Sequence, residues 1–343
     1  MKILAIDTSC DETSAAVTEG RKILSNQLYS QIQLHSEYGG VMPQIARRAH
    51  EEHIDMVISK ALKSAEVTMD QIDVIAVTYG PGLAIALGVG IDKAKELATL
   101  HNKKLIAINH MEGHIYSCYA QNSAGNPVRE IKFPYLAVLV SGSHTEIVLC
   151  TDHCTYSVVG STLDDAVGEA LDKAARLIVD DMVYPGGPVI ETLALTGNAS
   201  AFTFPRPMQY SKDLNFSYSG LKTSLRNVVR SMSPTERISS MNDLAASFQE
   251  AAFDAVTIKL EKAIDMYSIN TLVVGGGVAA NALLRKKVQN LAHRHKGTVY
   301  FPSSKKLYGD NAAMIGVAAY FHAIKGDFVK DIDRLERVAR VSL

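Results

Sequence analysis

The chain has 343 residues, close to half of them apolar, with 35 basic side chains against 36 acidic ones. That length predicts two domains or one duplicated domain, and the near-neutral balance excludes a uniformly basic nucleic-acid surface. No apolar run nears the roughly 20 residues that span a bilayer, and four cysteines without C-x-x-C spacing read as reduced thiols. The chain opens directly on the strand-like Lys2 to Ile6, so no signal peptide is expected and a cytoplasmic location follows.

Leu4-Ala5-Ile6-Asp7, Thr8 to Thr13 and Ser14-Ala15-Ala16-Val17 read as a strand, a tight polar turn and a returning strand. Leu136-Ala137-Val138, Val140 to Thr145 and Glu146-Ile147-Val148-Leu149 repeat the pattern without a gap. Leu4 falls on Leu136, Ala5 on Ala137, Ser9 on Ser141 and Thr13 on Thr145. A hairpin with small hydroxyl residues at its bend offers N–H groups and hydroxyls to an anion. Two of them predict a duplicated α/β architecture with a ligand between the halves, with chance likeness as the plainer alternative.

Between the hairpins, Pro43 starts an amphipathic helix whose apolar stripe includes Ile45, Ile54, Val57, Ile58 and Leu62. Asp73 to Thr78 is a buried strand running into Gly80-Pro81-Gly82 and a helix of small residues. Such a junction aims a helix N-terminus at an anion, or simply lets backbones pack closely. Lys104 to Ile108 is the next strand, and it ends at Asn109-His110-Met111-Glu112-Gly113-His114. Four residues apart on a helix, His110 and His114 share a face and can hold one metal ion, or can merely cap the helix. The protease pattern H-E-x-x-H places its base directly after the first histidine. Here Glu112 is the second residue on, about 200° round the helix, so a protease lacks its base.

The second half resumes at Phe133-Pro134 after a polar linker. Thr162 with Asp165 three residues on predicts a capped helix start. Glu169, Asp172, Lys173 and Arg176 follow at i,i+4 spacing, which reads first as a salt-bridged solvated face, and second as Asp172 holding a ribose hydroxyl. Tyr184-Pro185-Gly186-Gly187-Pro188 is a rigid turn before a helix carrying Glu191. Phe202 to Ser219 is a long irregular segment of the kind that is usually functional. Lys222, Arg226 and Arg230 line one helix face, as a phosphate track or as an ordinary solvated face. Asn270 to Val274 is a strand entering Gly275-Gly276-Gly277, which gives a ring or phosphate room at the backbone, and Asn281 at the next helix start can bind a ribose or base. Neither a Rossmann fingerprint nor a P-loop is present. Near the end, Asp310 opens a last helix and supplies the third ligand for His110 and His114. Two imidazoles and a carboxylate leave open positions for a substrate.

Eight of these stretches, in this order, resemble the motifs of the tRNA N6-adenosine threonylcarbamoyltransferase family along almost the whole chain. They are Ile6 to Thr13, Gly80 to Leu83, His110 to His114, Val140 to Thr145, Tyr184 to Pro188, Phe216 to Thr223, Gly275 to Asn281 and Asp310 to Ile315. The resemblance implies an α/β, duplicated actin-like and hexokinase-like (ASKHA) fold, two lobes around a central cleft. We expect an N-terminal lobe at 1–130, a C-terminal lobe at 131–324 and a segment at 325–343 packing back on the first. The implied activity is transfer of a threonylcarbamoyl group from threonylcarbamoyl-AMP to N6 of adenosine 37 in tRNAs reading ANN codons.

Carried over by position, the resemblance makes His110, His114 and Asp310 the ligands of one divalent metal, Fe2+ as first choice and Zn2+ as second. Val140, Ser141, Gly142, Ser143 and His144 lie against the acyl-adenylate. Asp172, Gly187 and Asn281 bind its nucleoside part, Glu191 joins the substrate-binding residues at a position acidic in part of the family, and Asp11 and Glu12 match the family's acidic pair near the reaction centre. The implied partners are tRNA, a paralogous actin-like subunit and a small P-loop ATPase of the same pathway. Ser143 stands where many relatives have glycine, Ala84 to Val89 differ from the usual bacterial sequence, and Gly309 replaces a frequent threonine; none of these removes a ligand. A sugar or carboxylate kinase is a competing reading that paired histidines fit poorly. A catalytically silent paralogue is the other, and it is not expected to keep all three ligands.

Overall fold

Both halves of the chain fold in the same way. The computed structural model describes residues 1–343. The first half runs β1 (Lys2–Asp7), β2 (Glu12–Glu19), β3 (Lys22–Ser30), α1 (Ile32–Ser36), α2 (Pro43–Ser64), β4 (Val74–Gly80), α3 (Ala84–Leu100), β5 (Lys104–Asn109) and α4 (His110–Tyr116). The second runs β6 (Tyr135–Val140), β7 (Thr145–Asp152), β8 (Thr155–Ser161), α5 (Val167–Val179), α6 (Gly186–Ala194), α7 (Ser219–Ser231), α8 (Pro234–Tyr267), β9 (Thr271–Gly275), α9 (Ala282–Arg294), β10 (Thr298–Tyr300) and α10 (Ala312–Lys325).

The sheets order as β3-β2-β1-β4-β5 and β8-β7-β6-β9-β10, each an antiparallel meander extended by two parallel strands. Their registers repeat as well: Leu4 faces Val17 and Leu136 faces Leu149. The repeat read from the two hairpins is therefore a duplication of the whole sheet, and the fold is the two-lobed actin-like one. β1 and β6 sit at the centre of their sheets and are buried on both faces, which explains their unbroken apolar sequence.

Helices α2 and α3 cover the outer face of the first sheet, with Ile54, Val57, Leu87 and Ile91 packed on Leu4, Ile6 and Val77. Helices α5 to α9 cover the outer face of the second. Between the sheets lies a third core shared by Ile3 and Ala5 of β1, Ala137 and Leu139 of β6, Ile115 of α4 and Met314 and Ile315 of α10. A Cβ at Gly316 would stand 2.8 Å from the Thr18 side chain, so α10 packs closely on the side chains of the first sheet. After α10 the chain stays on that lobe: Val329 N–H donates to Leu105 O, Val338 N–H to Tyr79 O, and Gly82 N–H to Ala339 O. A boundary at 324 thus falls between two segments that both lean on the first sheet.

Two local expectations fail for tertiary reasons. Thr162 does not start a helix: it bridges to Phe216, its hydroxyl donates to the carbonyl of Asp165, and α5 begins only at Val167. Asp172 and Arg176 do not pair, because Arg176 donates to Gly39 O and Asp172 turns to the start of α6.

Candidate metal centre and substrate cleft

The side-chain oxygen of Asn109 accepts from Met111 N–H at 2.9 Å, capping α4 at the point where β5 ends. The cap sets His110 at the first helical position, and His114 follows one turn later on the same face. Their rings meet edge to face with centroids 4.8 Å apart. Asp310 comes from the far end of the sequence, just ahead of α10, whose own cap is the Asn311 oxygen on Met314 N–H. Oδ1 of Asp310 lies 3.3 Å from Nε2 of His110 and 3.4 Å from Nε2 of His114. The sequence-distant triad is assembled, with its ligand atoms all within 4.8 Å of one another.

Neither nitrogen of His114 and not the Nδ1 of His110 has a hydrogen-bond partner, although both residues are buried. Buried polar atoms left unpaired are costly, and a cation placed between the two Nε2 atoms and Asp310 would give the Nε2 of His114 its partner. The donor set of two imidazoles and a carboxylate fits a divalent transition metal. The Asp310 side chain is 23 % exposed, so the point is reachable from the cleft.

Asp7, which no spacing in the sequence singles out, ends β1 beside this triad. Its Oδ2 lies 3.5 Å from Nδ1 of His110, and its Oδ1 accepts from Ser9 N–H. Burial alone would lower the His110 pKa, yet Asp310 and Asp7 hold it well above the usual histidine value. Burial likewise opposes ionisation of Asp310, but His110 holds that carboxyl well below the carboxylate range. The acidic pair is next to this charge. Burial, then Asp11 and Asp310, push the Glu12 carboxyl well up, while Oδ2 of Asp11 accepts from the Tyr184 hydroxyl at 3.1 Å. From the other lobe, burial together with the two ligand histidines pushes His144 down to about 4, which puts the β6–β7 turn beside the triad.

That turn is closed by its own atoms. Ser141 N–H donates to His144 O, and His144 N–H donates to the Ser141 hydroxyl. The N–H groups of Gly142 and Ser143 donate to no protein atom, both residues are exposed, and a Cβ at Gly142 would meet nothing within 4 Å. Val140 is buried under the loop after β9, where Gly276 takes φ +97° and a Cβ would stand 2.3 Å from Val140 O. Gly275 is equally tight on His114 O, so two of the three glycines serve packing and Gly277 alone faces open space.

The expected nucleoside residues converge on one wall, each with a structural task. Oδ1 of Asp172 accepts from the N–H groups of Gly186 and Gly187 at the start of α6. Glu191 accepts from Ala282 N–H at the start of α9. Asn281 caps α9 through Leu283 and Leu284 N–H, and its amide donates to Gln249 at 2.7 Å. Oδ2 of Asp172, one Asn281 N–H and the room over Gly187 are what remain for a ligand.

The cationic face is built on α5 and α7. Lys173 and Lys222 both reach Asp165, Lys173 also pairs with Glu169 at 2.7 Å, and Arg226 is free of ion pairs. Lys173, Arg176, Lys222 and Arg226 line an open cavity of about 290 Å³ between α5 and α7.

Known proteins match the chain along most of its length. The family model for tRNA N6-adenosine threonylcarbamoyltransferase matches residues 22–317. The tRNA N6-adenosine threonylcarbamoyltransferase of Clostridium novyi (strain NT) is 44 % identical over 328 residues, 95 % of this chain and 94 % of that protein. Its counterpart in Thermosipho africanus is 45 % identical over 320 residues, 93 % and 94 % of the two chains. Among solved structures, T. kodakarensis HypF superposes with a TM-score of 0.62 at 13 % identity, over 96 % of this chain and 48 % of that one. Component A of the Acidaminococcus fermentans (R)-2-hydroxyglutaryl-CoA dehydratase gives 0.54 at 12 %, over 94 % and 99 %. At such identities the two structures speak for the fold alone. The near-complete sequence matches, on a two-lobed fold that brings His110, His114 and Asp310 together, place the chain in the tRNA N6-adenosine threonylcarbamoyltransferase family.

Proposed function

We infer that this chain transfers the threonylcarbamoyl group of threonylcarbamoyl-AMP to N6 of adenosine 37 in tRNAs reading ANN codons. Family membership gives the reaction, and the observation that carries its siting is the buried His110–His114–Asp310 triad beside Asp11 and Glu12. In the reaction the N6 amine attacks the carbamoyl carbon, a C–N bond forms, the C–O bond to phosphate breaks, and AMP leaves. The amine is a weak nucleophile because its lone pair is delocalised into the purine, so orientation and electrophile activation must do most of the work.

His110, His114 and Asp310 would hold the divalent ion, Fe2+ as first choice and Zn2+ as second by donor type. Bound there, the ion supplies a Lewis acid and a template for the acyl-adenylate. The free N–H groups of Gly142 and Ser143 offer hydrogen bonds to the carbamoyl oxygen or the leaving phosphate. Asp11 and Glu12 take up the N6 proton between them. Asp172, Gly187, Glu191 and Asn281 form the nucleoside wall. By the same family relation the protein works in the cytoplasm with tRNA, a paralogous actin-like subunit and a small P-loop ATPase, the subunit meeting α3.

The test is mass spectrometry of tRNA nucleosides after incubating protein, partners and unmodified tRNA with threonylcarbamoyl-AMP. Modified adenosine must form with the wild-type chain and fail with Asp310→Ala. Modification that persists undiminished in Asp310→Ala would place the chemistry elsewhere.

A further inference from the structure

The helix that carries the two cleft histidines has a second face. Glu112 lies between them in sequence and so points to the opposite side of α4. It is 3 % exposed and meets two residues from other elements there: Cys154 in the β7–β8 turn and His322 on α10. One ligand-type atom from each, a carboxylate oxygen, a thiol sulfur and an imidazole nitrogen, all lie within 4.8 Å of one another. Nε2 of His322 is 2.8 Å from Oε1 of Glu112.

We propose that Glu112, Cys154 and His322 form a second metal site, distinct from the cleft, for a divalent ion of the zinc class. The donor set is a thiolate, an imidazole and a carboxylate, and sulfur selects against Mg2+ and Ca2+. Each donor is oriented from behind, as ligands of a real site are. Oδ2 of Asp327 lies 2.8 Å from Nδ1 of His322, which fixes the ring with Nε2 toward the other two donors. The Tyr156 hydroxyl donates to Oε1 of Glu112 at 2.7 Å. The Tyr116 hydroxyl accepts from Cys154 N–H at 3.1 Å and lies 3.7 Å from Cys154 Sγ. Stacked rings close the side of the cluster: His153 on Phe321 at 4.0 Å and Tyr116 on Phe321 at 4.7 Å between centroids.

Binding is an exchange. The ion enters, the Cys154 thiol and the Nε2 of His322 give up their protons, and Glu112 contributes its negative charge. Its three donors belong to α4, the β7–β8 hairpin and α10, so the ion would act as a strut behind the cleft, fixing the helix that presents His110 and His114. The cluster also has a metal-free explanation, an imidazolium of His322 held between Glu112 and Asp327 with the Cys154 sulfur beside it, and that explanation puts no ion on the sulfur.

Cobalt separates the two. Metal-stripped protein titrated with Co2+ should develop a sulfur-to-cobalt charge-transfer band in the near ultraviolet, because the cleft triad contains no sulfur. The band should disappear in Cys154→Ser and persist in Cys10→Ser, whose thiol lies near the cleft acids. By elemental analysis, zinc-loaded wild type should carry one equivalent more than Cys154→Ser, and His114→Ala should lose the other. A measurement on wild type alone guards against misfolded variants: Zn2+ should shield Cys154 from alkylation, mapped by peptide mass spectrometry, and a chelator should expose it again. Absence of both the band and the protection, or a band that follows Cys10, overturns the proposal and leaves an ion-pair cluster.

Discussion

Oδ2 of Asp7 lies 3.5 Å from Nδ1 of His110, while the other nitrogen of that ring is 3.3 Å from Asp310. A carboxylate facing the outer nitrogen, near it but outside hydrogen-bond geometry, favours the proton there and leaves Nε2 as the ligand, the position of the usual outer partner of a metal-binding histidine. Asp7→Asn keeps an oxygen for Ser9 N–H and so keeps the turn. Its metal affinity should fall about 10- to 100-fold, measured by competition with a chelator. An unchanged affinity would show that Asp7 serves the turn only.

Asp11→Asn and Glu12→Gln test the proton acceptor. Each should slow single-turnover transfer to adenosine by about 10²- to 10⁴-fold, with the affinity for a stable threonylcarbamoyl-adenylate analogue nearly unchanged. Burial and the neighbouring Asp11 and Asp310 raise the Glu12 pKa, and a base works only when ionised. The wild-type rate should therefore climb with pH over a range above that of an ordinary carboxylate. In Glu12→Gln that limb should move to lower pH. If the limb stays where it is, Glu12 is not the group being titrated.

How much of this could be read from the chain alone depends on sequence distance. The hairpins were legible because strand, turn and returning strand are adjacent, and because alternation and turn residues are local signals. His110 and His114 were legible from helical spacing and Asp310 only as a carboxylate in search of partners. Asp172 shows where such reading stops. Spacing pairs it with Arg176, but the fold delivers two unpaired N–H groups of α6 to its oxygen, and a carboxylate at a helix N-terminus gains more than a surface ion pair. Cys154 and His322 are likewise far from Glu112 in sequence, and no pattern links them.

Asn281 illustrates the same limit and makes a prediction. Taken only as a ligand contact, it should be removable without harm to the fold. Its side chain instead caps α9 and donates to the buried Gln249. Asn281→Ala should then cost about 1–3 kcal/mol of stability in urea, through the lost cap and the stranded Gln249 oxygen. Asn281→Asp retains the cap and should cost less. Both should weaken binding of the adenylate analogue if the remaining amide N–H faces the nucleoside. Wild-type affinity in Asn281→Asp would remove the residue from the substrate wall.

Glu146, on β7, is pushed up to about 7 by burial, and its Oε2 has no hydrogen-bond partner. Because its folded pKa lies above the unfolded one, the group's favourable contribution is whole below about pH 4.5 and is lost as pH rises through 7. Glu146→Gln should thus leave stability unchanged at pH 4 and raise it at pH 8, by about 2 kcal/mol once partial exposure is allowed for. Denaturant titrations at the two pH values read this directly. An equal effect at both would mean that the carboxyl keeps an ordinary pKa.

The wall between α5 and α7 decides how the protein meets tRNA. Of its four cations, Lys173 and Lys222 converge on Asp165 and Arg176 is spent on Gly39 O. Arg226 is left as the cation with no competing partner, so a phosphate bound there should depend on it most. Arg226→Glu should weaken tRNA binding and reduce the slope of log affinity against log salt by about 0.7–0.9, the loss of one phosphate contact. Lys222→Ala should matter less to tRNA, since Asp165 retains Lys173, but should loosen the docking of α7. Binding of the adenylate analogue should be unaffected in both, because neither side chain bonds to Asp172, Gly187 or Asn281. A salt slope unchanged in Arg226→Glu would make the wall an ordinary solvated face, and a loss of analogue binding would make it part of the small-molecule site.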